Sequence, residues 1–258
     1  MGLTRDELRG GFRGLGLDSG DGVLVHSSLS SLGRVDGGAE TVVDSLRDAV
    51  GDDGTLMMPT FTRYDRPYDL DTSPSTVGAI TEAFRKRSAA VRSSHPTKSV
   101  AAIGPNARTL VDNHDLRNSI GPGSPIHRLI DERGGAVLLL GVDHTTNSAL
   151  HVAERLADLP YRDQLAETTI RRGDGSTETV EVNRVHCSRG FGVVGSIARR
   201  LGVGREGRVG DAAARLLDGR TLLSLVVELL DEQPGLLLCD VPDCDRCAYG
   251  RRRIATTG

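Results

Sequence analysis

Tryptophan is absent from the chain, and four phenylalanines and four tyrosines are its only aromatic residues. Recognition of single-stranded nucleic acid by base stacking needs an aromatic platform, which 3% aromatics does not supply. An excess of positive charge is missing too. The formal net charge is -3, so general attraction to a phosphate backbone is not expected. The basic runs RKR at 85–87 and RRR at 251–253 are expected as solvated faces rather than nucleic-acid patches. Long apolar runs are also lacking: AVLLLGV and GLLLC fall far short of a bilayer's thickness. The charged opening MGLTRDELRGGF has no apolar stretch like that of a signal peptide. A cytoplasmic location is the expectation, with no nucleic-acid and no membrane partner.

What is present suits a packed core: 258 residues, 38% of them hydrophobic and 26% charged. DGVLVHSSLSSLG predicts a strand running into a Ser-rich turn. GGAETVVDSLRDAVG follows with helical spacing, and GTLMMPTFT predicts a second strand, so the first third holds a βαβ-like unit. GAVLLLGV is the clearest strand, with a helix, LHVAERLADL, after it. TTIRRGDGSTETVEVNRV alternates around GDG and predicts a β-hairpin. GFGVVGSIARRLGVG and AAARLLDGRTLLSLVVELLDEQPG predict two further helical stretches. The whole is expected as one α/β domain, residues 1–258, with a hairpin inserted around 165–185 and a cysteine-containing C-terminal segment at 236–250.

Within NSALHVAE, His151 and Glu154 stand three positions apart just after the clearest strand. If SALHVAE opens a helix, the two share one face. The carboxylate could then hold the imidazole tautomer and stabilise the imidazolium of a general base. The alternative is a structural histidine at a helix start, with Glu154 favouring the dipole. His26 lies where a strand gives way to a loop, a common place for active-site residues in α/β proteins. A buried structural role fits it equally. His95, before Pro96, is expected as a hydrogen-bonded organiser, and His144 as a weaker rival to His151.

Five stretches together resemble one family. VHSSLSSLGRVDGGAETVVDSL, GTLMMPTFT, RSSHPTKSVAAIG, GPGSPIHRL and AVLLLGVDHTTNSALHVAE occur in the order found in AAC(3)-type antibiotic N-acetyltransferases. The resemblance runs from about Val23 to about Glu154 and continues more weakly through GFGVVGSIARRLG, GRVGDAAARLL and LLLCDVPDCDRC. It implies an acetyl-CoA-dependent transfer to an amine, characteristically the 3-amino group of a 2-deoxystreptamine aminoglycoside, with neither a catalytic metal nor an acyl-enzyme. It also implies a mixed central sheet with flanking helices, unlike the GNAT acetyltransferases. The matching family position carries the histidine assigned as base, which favours His151 with Glu154; His26, from its place at the strand end, could line the acetyl site or support the base. Two departures concern the acceptor. Many resistance members double the histidine where this chain has His151-Val152, and GVDHTTNS differs from their GAPLD-type loop.

Under this resemblance the Ser-rich turn and the glycines before the following helix would cradle the donor's phosphates, since helix N-termini favour anions. The candidates are Ser27, Ser28, Leu29, Ser30, Arg34, Val35, Gly37 and Gly38, with Arg92, Ser93, Ser99 and Val100 from a facing segment. A polyamine acceptor calls for acidic groups. TRYDRPYDLDTSPS offers Tyr64, Asp65, Asp69 and Asp71, although Arg63 and Arg66 dilute its acidity. Cys187, Cys239, Cys244 and Cys247 could close a structural zinc site, or else be buried free thiols beside a C-terminal strand. Two other readings stay open: the same chemistry on a different amine or amino sugar, and a CoA-binding protein with little turnover.

Overall fold

The computed structural model describes residues 2–257. Helix α1 (Arg5–Leu15) leads into β1 (Gly22–Ser27), α2 (Gly38–Val50), β2 (Thr55–Pro59) and α3 (Ala79–Arg85). The chain continues through β3 (Val91–Arg92), β4 (Val100–Ile103), α4 (Ala107–Val111), α5 (Pro125–Asp131), β5 (Ala136–Leu140) and α6 (Ala149–Leu156). After these come β6 (Leu165–Arg171), β7 (Thr177–Asn183), α7 (Val193–Arg200), β8 (Arg205–Val209), β9 (Ala212–Asp218), α8 (Gly219–Glu232) and α9 (Asp245–Thr257). Among the described residues no helix is long and apolar enough to cross a membrane.

Seven strands form one sheet in the order β3-β4-β2-β1-β5-β9-β8, and β6 pairs with β7 apart from it. The central strand β1 runs parallel to β2 and β5, whereas the outer pairings are antiparallel, so the sheet is mixed. A strand covered on both faces is apolar throughout rather than alternating. In β1, Leu24 packs into the core on one face, and Val23 and Val25 into the core on the other. Local signals set the helix ends. Thr4 and Glu7 close a reciprocal capping box at α1, and Ser124 accepts the His127 N–H above Pro125 at the start of α5.

The register of β1 on β5 positions the functional end of the sheet. His26 lies opposite Leu139 and Ser27 opposite Leu140, so the loops leaving both strands emerge side by side. Ligand sites in α/β sheets gather at such carboxyl ends. The hairpin of β6 and β7 occurs where the GDG alternation placed it. It is tied to the loop after β2, where the Tyr68 N–H donates to the Thr169 carbonyl at 2.7 Å.

Three expectations are corrected. AAARLL is not helical but forms β9, antiparallel to β5, with Ala212, Ala214 and Leu216 buried on alternate positions. Alanine's helical propensity yields there to pairing with a buried strand. The RRR run is not simply a solvated face: within α9, Arg251 donates to the Cys239 carbonyl at 3.0 Å and Arg253 to that of Pro160 at 3.1 Å. The RKR run is not uniformly solvated, because the Arg85 side chain is largely buried against Glu82 at 2.7 Å.

Leu139, in the middle of β5, has no solvent exposure. Leu139→Ala is predicted to lower the unfolding free energy by about 2–5 kcal/mol in a denaturant titration. A loss below about 1 kcal/mol would show that β5 is not a core strand.

Candidate active site

The segment after β5 is built to present α6. Gly141 adopts φ +69, and a Cβ there would stand 2.4 Å from Ser31 Cβ, so only glycine lets the two loops pass. Asp143 then caps a tight turn by accepting the Thr145 N–H at 2.8 Å, and Asn147 Oδ1 accepts the Ala149 N–H at 3.1 Å. From the neighbouring strand, His26 Nε2 accepts the Ser148 N–H at 3.2 Å. A ring nitrogen that accepts must be unprotonated, and burial together with His144 pushes His26 down to about 3. His26 is therefore a neutral anchor for the start of α6.

One turn on, His151 Nδ1 lies 2.7 Å from Glu154 Oε2. Both side chains are buried, His151 at 6% exposure and Glu154 at 0%. Burial alone would raise the Glu154 carboxyl, but Arg162 and His151 outweigh it and hold the group below the usual carboxylate range. Arg162 Nη1 sits 3.3 Å from Oε2, and the Tyr161 hydroxyl donates to Oε1 at 3.3 Å. For His151, desolvation dominates and lowers the pKa, with the Glu154 hydrogen bond opposing it. The imidazole is consequently neutral at pH 7, with Nδ1–H donated to Glu154 and the Nε2 lone pair left for a proton. Phe191 packs edge-on against the ring with centroids 4.7 Å apart.

His151 lines a cleft of about 680 Å³ together with His26, Ser27, Lys98, His186 and the two cysteines Cys187 and Cys244. A second cleft, about 750 Å³, shares Ser27 and Val77 with the first, so the two are adjacent. Ser27, Ser28, Leu29, Ser30, Arg34, Val35 and Gly38 all line this second cleft, and Gly37 lies just behind them as the N-cap of α2. No side chain caps that helix, and a Cβ on Gly38 would meet nothing within 4 Å. The backbone here is open to a ligand.

Other sequence candidates fall elsewhere. Arg92, Ser93, Ser99 and Val100 line neither cleft. The Arg92 guanidinium is committed to the carbonyls of Thr60 at 2.8 Å and Ser73 at 2.6 Å and to Ser99 Oγ at 3.1 Å. Ser93 Oγ accepts the Val100 N–H at 3.0 Å, so this quartet ties strands together. Tyr64 does reach the first cleft, with Lys98 Nζ 5.9 Å from its ring centroid. Asp65, Asp69 and Asp71 do not. Asp65 pairs with Arg63 at 2.7 Å, and Asp69 accepts N–H groups of its own turn, those of Asp71 at 3.1 Å and Thr72 at 2.8 Å. The carboxylates lining the cleft are Asp243 and Asp245, beside Arg246. Sequence reasoning weighed CDRC only as a metal motif and missed them. His95 is the organiser expected: its Nδ1 accepts the N–H groups of Thr97 at 3.2 Å and Lys98 at 3.0 Å. His144 is buried and does not line the cleft.

Residues 24–231 match the family described as aminoglycoside 3-N-acetyltransferase. The chain belongs to this family. It is 33% identical to aminoglycoside N(3)-acetyltransferase VII of Streptomyces paromomycinus, over 90% of this chain and 93% of that one. Its structure is similar to that of the aminoglycoside acetyltransferase AAC(3)-IVa apoenzyme, with a TM-score of 0.89, 33% identity and 98% of each chain covered. AAC(3)-IVa has also been solved with a gentamicin and with apramycin. AAC-IIIb, solved as a binary complex with CoASH, matches with a TM-score of 0.83 at 28% identity, covering 90% of this chain and 98% of that one. For this family member the mixed sheet and the order of the sequence blocks agree with the resemblance first read from the sequence.

Burial also fixes how the protein responds to acid. His26 and His95 are held at about 3, and His114, His144 and His186 at about 4, with desolvation the largest cause in each. In the unfolded chain these rings titrate near 6.5. The unfolded state therefore binds more protons below that value, and stability present above about pH 6.5 is lost as pH falls toward 4. Denaturant midpoints should drop steadily from pH 7 to pH 5, with an uptake on unfolding approaching about five protons. A midpoint flat across that range would contradict the burial of these rings.

Proposed function

We propose that this chain transfers acetyl from acetyl-CoA to an amine of an aminoglycoside, characteristically the 3-amino group of 2-deoxystreptamine, by direct attack with His151 as general base. The observation that carries the reading is His151, paired with the buried Glu154, lining a cleft adjacent to the glycine- and serine-lined one. The CoASH complex of AAC-IIIb supports the donor, and the aminoglycoside complexes of AAC(3)-IVa support the acceptor.

The chemistry follows from the protonation states. An ammonium group has no lone pair to attack with, so a proton must leave the acceptor before or during bond formation. His151 Nε2 takes it, and Glu154, Arg162 and Tyr161 hold the ring in place while the imidazolium forms. The amine lone pair adds to the thioester carbonyl, the carbon–sulfur bond breaks, His151 returns its proton to the departing CoA thiolate, and the second proton of the former ammonium is released to solvent as the amide forms. Because Arg162 shares Glu154, the imidazole is less basic than in an isolated His–carboxylate pair. It is therefore unprotonated when substrate arrives.

A second reading keeps the reaction and changes the acceptor. Lys98, Arg184, Arg189 and Arg246 line the first cleft beside only Asp243 and Asp245. Burial lowers Lys98 to about 8 without removing its charge at neutral pH. An amino sugar with fewer positive charges than a drug polyamine suits that balance better.

Thiol release from acetyl-CoA, followed against aminoglycosides and simpler amino sugars, separates the two readings. Drug-dependent release is the expected result; turnover only with weakly cationic amines would favour the second. His151→Ala should lower kcat by about 10²–10⁴-fold and leave CoA affinity within about twofold. The acid limb of wild-type kcat/KM should lie below pH 6.5, the direction in which burial moves His151. Gly38→Asp should weaken CoA binding at least about tenfold, the equivalent of about 1.4 kcal/mol, because it sets a negative charge against the phosphates. Unchanged CoA affinity in that variant would remove the cradle from the donor site.

A further inference from the structure

Cys187, Cys239, Cys244 and Cys247 come from separate stretches of chain, yet their sulfurs all lie within 4.8 Å of one another. Cys187 Sγ and Cys239 Sγ are 3.9 Å apart. Four thiolates bound tetrahedrally to zinc at about 2.3 Å are separated by about 3.8 Å. A disulfide would need about 2.05 Å, and two disulfides would not require all four sulfurs to converge on one point. The backbone is already arranged for thiolates: the Arg189 N–H points at Cys187 Sγ at 3.4 Å, and the Cys239 N–H at Cys247 Sγ at 3.3 Å. Cys244 and Cys247 bracket the start of α9, where the helix dipole favours negative sulfur.

The location gives the cluster a consequence. The residues flanking Cys187, from Arg184 to Arg189, and those flanking Cys244, from Asp243 to Arg246, form a wall of the cleft that holds His151. His186 stacks on Tyr161 with ring centroids 4.7 Å apart, and Tyr161 in turn hydrogen-bonds Glu154. The stretch 184–188 has no secondary structure of its own, and with few backbone bonds beyond that of the Arg184 N–H to the Gln164 carbonyl at 2.8 Å it has little else to hold such a wall still.

We propose that the four cysteines bind one structural zinc ion, and that this ion fixes the acceptor-side wall of the cleft by clamping 184–189 to 243–247. Calling that wall acceptor-side rests on the transferase reading above; the zinc assignment does not.

The test begins with metal analysis of the purified full-length protein and needs no acetyl transfer. About one zinc per chain is expected, with the four thiols unreactive in the native protein and reactive once a chelator has removed the metal. Cys247→Ser should lower the zinc content several-fold. On zinc removal, amide exchange at 184–189 and 243–247 should accelerate at least about tenfold, well beyond any change in β1 and β5, because a tetrahedral tie is lost at that point. Metal well below one per chain with four reactive native thiols, or iron in place of zinc, would overturn the site. Unchanged exchange in the two segments after zinc removal would overturn the clamp. Absence of acetyl transfer beside a full zinc complement would count against the transferase reading alone.

Discussion

A carboxylate without solvent exposure is unstable by several kcal/mol unless opposite charge and hydrogen bonds accompany it. Glu154 is such a group, and the surrounding structure follows from what it needs. Its partners are His151 on the same helix, and Tyr161 and Arg162 from the turn after it. Arg162 is itself buried at 2% exposure, so neither charge is tolerable without the other. The pair sums to zero, which leaves His151 neutral beside a fixed negative oxygen. An imidazole that is uncharged at rest and would be stabilised once protonated is the outcome of that balance.

The sheet places this group near the serine- and glycine-lined cleft. Parallel pairing of β1 with β5 sets Ser27 beside Leu140, and the loops after them lead to that cleft and to the His151–Glu154 pair. His26 joins the two loops through the Ser148 N–H and has to stay neutral to do so. Protonating it would turn an acceptor into a donor facing another donor. Acid therefore threatens the geometry of the site and the stability of the fold through the same buried rings.

Much of the site could be read along the chain because its parts are local. The His151–Glu154 spacing predicts a shared helix face, and the structure supplies the helix. The SSLSSLG and GG blocks, once their family resemblance was noted, indicated residues that the structure gathers into one cleft. Residues joined only through space were not legible. Arg162 and Tyr161 look like ordinary members of a turn until Glu154 is seen beneath them. Asp65 and Asp69 look like part of an acceptor site until Arg63 and the turn backbone are seen to occupy them, and Asp71 with them lies outside the cleft. β9 was hidden because an alanine-rich stretch has no strand signal of its own.

The sequence by itself determined the capped helix starts at Thr4 and Ser124, the buried central strands, the hairpin and the His–Glu spacing, since each depends on residues a few positions apart. Tertiary structure alone decided that β9 is a strand, that Arg162 neutralises Glu154 and that Asp243 and Asp245 line the same cleft as His151. It also decided that four cysteines spread over some sixty residues meet within 4.8 Å. The physical reason is the reach of the forces involved. Capping and periodicity act within a turn or two of the chain, whereas charge compensation and burial act between whatever groups the fold brings within a few ångströms.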